Sequence, residues 1–179
     1  MDKNYDVTFV ECSLQRHGEA ILAIFNEVLL NSTALYDYRV RTMETMVTWF
    51  AAKEAGGFPI IGLEDAEGEL VAFGSYGTFR AFPAYKYTVE HSIYVRSDQR
   101  GRGLGRMLLC SLMERAQQHN VHAMIGGIDA SNKASIRLHE ALGFRHVGTL
   151  PEVGYKFGRW LDLAFYQRNF ATPVKPEEG

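Results

Sequence analysis

The stretch QRGRGLG, residues 99–105, separates a strand-like run from a helix-like run. HSIYVRSD, residues 91–98, is rich in β-branched and aromatic residues, whereas MLLCSLMERA, residues 107–116, carries apolar residues at helical spacing. Glycine lets a backbone approach another molecule closely, and the N-terminus of a helix is the positive end of its dipole. The stretch therefore predicts a strand-to-helix turn that binds an anion.

Three arginines, Arg100, Arg102 and Arg106, lie among and just after these glycines. Guanidinium groups suit charge-assisted hydrogen bonds to a pyrophosphate. No Gly-Lys-Ser/Thr follows, which excludes a nucleoside-triphosphate loop. The spacing GxGxG, placed after several strands, disfavours a nicotinamide dinucleotide fold. A phosphate-bearing ligand is the favoured interpretation, and a solvated turn with an incidental basic run is the alternative.

The composition is that of one globular domain, with 46% hydrophobic and 12% aromatic residues among 179. We expect a single domain over residues 1–170 and a disordered tail over residues 171–179, which hold two prolines. A net charge of −2 and a pI near 6.3 predict neither nucleic acid nor membrane as a partner. Without a secretory signal or a long apolar run, a cytoplasmic protein is expected. Two distant cysteines predict reduced thiols and no metal.

The periodicity predicts the order strand, two helices, three strands, helix, strand, helix, two strands. VTFVEC, residues 7–12, is the first strand, and Thr42 is the N-cap of a helix that ends before Gly56. A short helix begins after Ser131 or Asn132 and ends at Gly143. This order favours an α/β (α+β) fold with a largely antiparallel sheet.

Two stretches, RGRGLG at residues 100–105 and DASNKASIRLHEALGF at residues 129–144, resemble motifs of one family, the GNAT N-acetyltransferases. The first is similar to their acetyl-CoA signature R/Q-x-x-G-x-G/A, and the second is similar to their Asn-x-x-Ser motif followed by a helix and Gly-Phe. VEHSIYV, residues 89–95, and VGYKFGRWLDLAFYQR, residues 153–168, resemble the phosphinothricin and methionine sulfoximine acetyltransferase branch. The resemblance extends from about residue 7 to residue 170.

The resemblance implies a GNAT fold, with a central mixed, largely antiparallel twisted sheet flanked by helices. It also implies a homodimer that transfers acetyl from acetyl-CoA to the α-amino group of phosphinothricin, methionine sulfoximine or methionine sulfone. Transfer is direct, in a ternary complex, because Cys110 lies in an apolar helix and is a poor acyl carrier. Acetylation of protein N-termini or polyamines, and a silent CoA-binding sensor, are the alternative functions.

The motifs also imply which residues hold acetyl-CoA. Backbone groups of Ile93, Tyr94 and Val95 face the pantetheine arm, and a backbone N–H near Val95 meets the thioester oxygen. Asn132 contacts the pantetheine or pyrophosphate region with Ser135 nearby, although Asn132 also has an ordinary role as a helix N-cap. The pyrophosphate lies on Gly101, Arg102, Gly103, Leu104, Gly105 and Arg106.

Glu90 is the candidate general base, because an alkyl ammonium must lose a proton before it attacks. Strict alternation places Glu90 on a solvated face with Thr88, Ser92 and Tyr94, whereas the resemblance assigns it to catalysis. The same alternation puts His91 in the core, and a strand bulge of the kind this family has would turn it toward substrate. The acid for the leaving thiolate is open, since Phe144 stands where many members have a tyrosine, which leaves Tyr155 or no dedicated acid.

TFRAFPAYKYT, residues 78–88, places the cations Arg80 and Lys86 among aromatic residues, which suits a small amino acid with a carboxylate. An ordinary loop whose aromatic residues cap the core is the alternative. The resemblance implies that this stretch lines the acceptor site, with Arg80 as the carboxylate clamp. The implied substrate-binding residues are Arg80, Ala81, Phe82, Glu90, His91 and Ser92.

Overall fold

The computed structural model describes residues 6–178, which form seven strands and four longer helices in the order that the sequence predicts. Single helical turns at Pro83–Tyr85 and Ser97–Gln99 complete the elements. The helices are α1 (Leu14–Asn31), α2 (Met43–Ala55), α3 (Leu104–Gln118) and α4 (Lys133–Ala141). The strands are β1 (Thr8–Glu11), β2 (Ile60–Glu64), β3 (Leu70–Thr78), β4 (Thr88–Val95), β5 (Ala123–Asp129), β6 (Arg145–Lys156) and β7 (Arg159–Asn169).

All seven strands form one sheet in the order β1-β2-β3-β4-β5-β7-β6. Every neighbouring pair is antiparallel except β4 and β5, so the prediction of a mixed, largely antiparallel sheet is confirmed. The parallel pair is short, because only Thr88–Glu90 lies alongside Ala123–Ile125. Beyond these residues β4 and β5 separate, and a gap opens inside the sheet.

Helices cover both faces of the sheet. On one face α3 packs through Leu108 and Leu112 against β3 and the neighbouring strands. On the other face α1 and α2 enclose an aromatic cluster in which the Phe25 ring meets Phe73 and Tyr94 edge to face. This burial holds the centre of β4 between two hydrophobic layers.

The helix ends follow the signals in the sequence. Thr42 caps α2, with its hydroxyl accepting from the Thr45 N–H and the Thr45 hydroxyl accepting from the Thr42 N–H. Asn132 caps α4 by accepting from the Ser135 N–H at 3.1 Å. Gly143 follows α4 at φ +80°, where a side chain would be strained. The sequence thus places these boundaries correctly.

The strand bulge expected in β4 does not occur in its pairing with β3. The register is uniform from Ala72 opposite Val95 to Thr78 opposite Val89, so the side chains keep their alternation. His91 therefore stays on the same face as Val89, as alternation predicts. The predicted solvated face is wrong at Tyr94, which is buried against α1.

A buried lysine joins the β6–β7 hairpin to the end of α1. The Lys156 ammonium donates to the carbonyl oxygens of Leu29, Ser32 and Leu35 at 2.7, 3.0 and 2.6 Å. A cation is favourable at a helix C-terminus, where carbonyl groups lack intrahelical partners. Lys156 therefore fixes the course of the chain as it leaves α1.

Residues 171–178 form no helix or strand, but they contact residues that immediately precede β4 and β5. The Thr172 hydroxyl donates to the Val121 carbonyl at 2.5 Å, and the Glu177 N–H donates to the Tyr87 hydroxyl at 3.0 Å. The domain boundary at residue 170 and the disorder of the tail stay predictions. Within residues 6–178, no helix is both long and apolar enough to span a bilayer.

Removing the Lys156 ammonium leaves three carbonyl oxygens without their donor. We expect Lys156→Met to lower the free energy of unfolding by about 2 to 4 kcal/mol, because hydrogen bonds to charged groups contribute about 1.5 to 3 kcal/mol each and the new side chain recovers part of the loss. Urea denaturation measures this change. Lys133→Met is the matched control, since the exposed Lys133 donates only to the Ala130 carbonyl. Equal losses in the two variants would contradict the role of Lys156.

Candidate functional site

The gap between β4 and β5 opens into a cleft of about 470 Å³ beside the glycine stretch. Most of the residues that the sequence predicts for the cofactor lie together here. They are Ile93, Tyr94, Val95, Gly101, Gly103, Leu104, Gly105, Asn132 and Ser135. Arg102 and Arg106 do not line the cleft, whereas Arg100 and Gln99 do. Sequence reasoning missed the far wall, which the end of α1 and the following loop supply through Val28, Ser32 and Ala34.

The glycine stretch adopts a conformation that side chains disfavour. Gly101 has φ +77° and Gly103 has φ +83°, both in the left-handed region. Gly103 is the N-cap of α3, and its carbonyl accepts from the N–H groups of Arg106 and Met107 at 3.0 and 3.2 Å. The start of α3 therefore directs the positive end of its dipole at the cleft.

A second cavity, of about 260 Å³, adjoins the cleft and is lined in part by β4, the strand that carries the predicted base. The two spaces share lining residues from β4, α4 and the loop after α1, so they form one continuous depression. Glu90, His91 and Ser92 line the second cavity, as do Gly126–Asp129 of β5. Thr33–Tyr36 close it from the opposite side. We call this second space the Glu90 cavity.

Glu90 lies half-buried in this cavity, above Gly127 of β5. A Cβ atom added to Gly127 would lie 3.0 Å from Glu90 Oε1, so the glycine leaves room for the carboxylate. Within residues 6–178, no hydrogen bond or ion pair satisfies the Glu90 carboxylate. Burial raises the pKa of Glu90 above its usual range. The group therefore accepts a proton more readily than an exposed glutamate does.

Two histidines form the inner wall of the Glu90 cavity. His139 Nδ1 donates to the Ser135 carbonyl at 2.7 Å, so its Nε2 accepts from His91 Nε2 at 3.1 Å. His91 Nδ1 is buried and has no hydrogen-bond partner among the described residues. Burial, reinforced by the neighbouring His139, lowers the pKa of His91 to about 3, and burial also lowers the pKa of His139. The pair is uncharged at neutral pH.

His139 is a site residue that sequence reasoning did not single out. It follows Ser135 by four positions and Asn132 by seven, so all three lie on one face of α4. This helical spacing from Asn132 and Ser135 is the sequence signal that could have identified His139 as a site residue.

The predicted acceptor loop lies apart from Glu90 within one chain. Arg80, Ala81 and Phe82 line a separate cavity of about 240 Å³, and Phe82 is 71% exposed. The Arg80 guanidinium lies 5.4 Å from the centre of the Phe79 ring. Their role in binding the acceptor stays a prediction.

Two other candidates lie away from both spaces. Tyr155 is exposed and packs edge to face on Trp160, and it lines neither the cleft nor the Glu90 cavity. Cys110 packs against the hydrophobic cluster beneath α3, as the sequence predicts. The geometry favours no role for either residue in the transfer.

Comparison with known proteins agrees with this geometry. The model of the Acetyltransferase (GNAT) family matches residues 21–144. The chain belongs to the GNAT acetyltransferase family. An L-methionine sulfoximine/L-methionine sulfone acetyltransferase of Pseudomonas paraeruginosa is 48% identical over 149 residues, covering 83% of this chain and 87% of the relative. A phosphinothricin N-acetyltransferase of Streptomyces coelicolor is 37% identical over 147 residues, covering 81% and 86%.

A solved structure extends the similarity to the whole fold. The GNAT superfamily phosphinothricin acetyltransferase of Sinorhizobium meliloti, in complex with AcCoA, aligns with a TM-score of 0.91 at 33% identity, covering 97% of this chain and 95% of that one. The GNAT fold and the resemblance to the phosphinothricin and methionine sulfoximine branch are thereby confirmed. This chain is a GNAT N-acetyltransferase.

The uncharged histidine pair predicts a stability that depends on pH. Histidine in the unfolded chain binds a proton below a pKa of about 6.5, whereas folded His91, with its pKa of about 3, does not. Stability therefore falls as the pH drops below about 6.5. We expect His91→Phe to reduce the loss of unfolding free energy between pH 7 and pH 5 by about 1 to 2 kcal/mol. Urea denaturation at both pH values measures it, and an unchanged pH dependence would count against this account.

Proposed function

We propose that this GNAT N-acetyltransferase moves the acetyl group of acetyl-CoA to the α-amino group of a small amino acid analogue. Methionine sulfoximine, methionine sulfone and phosphinothricin are the candidate acceptors, which the names of the relatives support. One observation carries the proposal: the cleft at the glycine stretch runs directly into the cavity that holds Glu90. A cofactor bound in the cleft and an acceptor bound in the Glu90 cavity can therefore meet where the two spaces join.

Acetyl-CoA enters along the cleft. Its pyrophosphate lies on Gly101–Arg106 at the start of α3, where backbone N–H groups and the helix dipole favour an anion. Its pantetheine arm follows Ile93–Val95 along the free edge of β4. Asn132 and Ser135 lie where the cleft meets the Glu90 cavity, which brings the thioester to that junction.

The β4 backbone offers a donor to the thioester oxygen. The Arg96 N–H donates to the Val71 carbonyl of β3 at 2.9 Å. Because N–H groups alternate in direction along a strand, the Val95 N–H points to the opposite edge, from which β5 has separated. That N–H can polarise the carbonyl and stabilise the oxyanion of the tetrahedral intermediate.

Glu90 then takes a proton from the acceptor ammonium, and the neutral amine attacks the thioester carbon. The C–N bond forms, the attached nitrogen gives up a second proton as the C–S bond breaks, and that proton passes to the departing CoA thiolate without a dedicated acid. No covalent enzyme intermediate is required, because Cys110 lies outside both spaces. A thiol-release assay with acetyl-CoA and a panel of amino acid analogues, polyamines and peptides tests the assignment against the alternatives.

The assembly and location of the protein are further parts of the proposal. We propose a cytoplasmic homodimer, as the resemblance implies. Exposed apolar side chains on the β6–β7 hairpin support a protein contact; they are Val147, Leu150, Val153 and Trp160. Within one chain Arg80 lies apart from the Glu90 cavity. Its proposed role, binding the carboxylate of the acceptor, therefore requires that the two subunits together bring Arg80 to the acceptor. Analytical ultracentrifugation and cell fractionation test the two statements.

We expect Gly101 to contribute to the affinity for CoA as well as to the stability of the fold. Gly101 and Gly68 have nearly the same φ, +77° and +80°, and an added Cβ would meet no atom within 4 Å at either position. Both alanine variants should therefore lose a similar stability, about 1 kcal/mol. Only Gly101 lines the cleft, so we expect Gly101→Ala to weaken CoA binding about tenfold or more, with Gly68→Ala unchanged. Calorimetric titration with CoA measures both, and equal affinities would remove the glycine stretch from cofactor binding.

Glu90→Gln should keep acetyl-CoA affinity and lower kcat by roughly a hundredfold or more, the scale of a lost general base. The base acts as a carboxylate, so wild-type activity falls as the pH drops through the Glu90 pKa. Because burial raises that pKa, the acidic limb should lie above the range of an exposed glutamate and should vanish in the variant. A pH–rate profile decides this, and a variant with the parent's rate and profile would exclude Glu90 as the base.

A further inference from the structure

A second carboxylate, Asp129, faces the Glu90 cavity from the end of β5. Asp129 is 4% exposed and lines the cavity. It lies two residues after Gly127, so both face the same side of the sheet, the side on which the Glu90 carboxylate lies. The cavity therefore holds two acidic groups.

The two oxygens of Asp129 have different surroundings. Oδ1 accepts from the N–H and the hydroxyl of Ser131 at 2.8 and 2.7 Å, which fixes the turn that leads into α4 and places Asn132. Oδ2 has no hydrogen bond from the described residues. Oδ2 forms an ion pair with the half-exposed Arg159, whose Nη2 lies 3.5 Å away. A buried carboxylate oxygen that has an ion pair but no hydrogen bond can still gain free energy from a donor supplied by a ligand.

The charges of the cavity select the ligand. Its lining contains no lysine or arginine, and its two histidines are neutral, so Glu90 and Asp129 are its charged groups; Arg159, which pairs with Asp129, compensates part of that charge from outside the lining. The pKa values of the two acids move in opposite directions. Burial raises the pKa of Glu90. Burial alone would also raise the pKa of Asp129, but the side chain of Thr33, hydrogen bonds from Ser131 and the charge of Arg159 outweigh it, so the pKa of Asp129 is lowered. One acid is suited to take a proton and the other to remain charged.

We propose that Asp129 Oδ2 binds the ammonium group of the acceptor and holds it beside Glu90. Glu90 removes one proton, and Asp129 keeps a charge-assisted hydrogen bond to another N–H of the same nitrogen. This assignment rests on the proposed acetylation of an amine. It makes Asp129 an acceptor-binding residue that selects a cationic head group, distinct from the base.

Asp129→Asn is the sharp test, because the asparagine oxygen can still accept from Ser131 while the charge at Oδ2 is lost. With methionine sulfone as acceptor, we expect KM to rise about ten- to a hundredfold, the scale of one charge-assisted hydrogen bond, and KM for acetyl-CoA to stay unchanged. Asp129→Ala also removes the turn acceptor, so it should raise KM for acetyl-CoA as well.

An analogue without the amine separates binding from structure. 4-(Methylsulfonyl)butanoate, which is methionine sulfone without its amino group, is the probe, and we expect it to compete with the acceptor. Its inhibition constant should stay the same or improve in Asp129→Asn, because the variant removes a charge that this anion does not need. Equal weakening of acceptor and inhibitor would mean a structural defect and would overturn the proposal. An unchanged KM for the acceptor would also overturn it.

The wild-type protein tests the proposed function separately. If it acetylates no amino acid analogue, the amino acid assignment fails whatever the variants do. The Asp129→Asn comparison is then made with whichever amine of the panel the wild type acetylates, since the anchor recognises the ammonium group. An unchanged KM for that amine would still refute the role of Asp129.

Discussion

The separation of β4 from β5 is the constraint on which the rest of the site depends. The two strands are paired only as far as Glu90 and Ile125, and beyond that point the free edge of β4 has backbone groups that no strand satisfies. Such groups need partners, and a ligand laid along the edge can supply them. The same gap lets the glycine stretch, α4 and the end of α1 approach one another around a single depression.

The depression is closed by contacts made far away in the sequence. The loop Thr33–Tyr36 forms one wall of the Glu90 cavity. Lys156 fixes this loop by donating to the carbonyl of Ser32, just before it, and to the carbonyl of Leu35, within it. The Tyr38 hydroxyl adds a hydrogen bond to the Tyr155 carbonyl on the same hairpin. The shape of the cavity therefore depends on where β6 and β7 lie as well as on β4.

Burial moves the titrating groups of the cavity in a consistent way. It disfavours every charged form, so the pKa of Glu90 rises while those of His91 and His139 fall. The pKa of Asp129 is lowered instead, because nearby hydrogen-bond donors and Arg159 stabilise its carboxylate and outweigh the effect of burial. The result is a neutral histidine wall beside two carboxylates with opposite tendencies, an arrangement suited to binding an ammonium group and then deprotonating it.

The sequence by itself determined the order of elements, the glycine turn and the cap at Asn132, because these rest on local periodicity, backbone conformation and motifs. It also predicted Glu90 as the base, from the resemblance of its strand to a known family. The tertiary structure alone decided that β4 and β5 part after Glu90, that His139 and Asp129 join the same cavity, and that Arg80 lies outside it. It also showed no bulge in β4 in its pairing with β3, whose register is uniform, and His91 instead reaches the cavity through the gap in the sheet. Strand separation depends on packing between distant residues, and no local pattern in the chain encodes it.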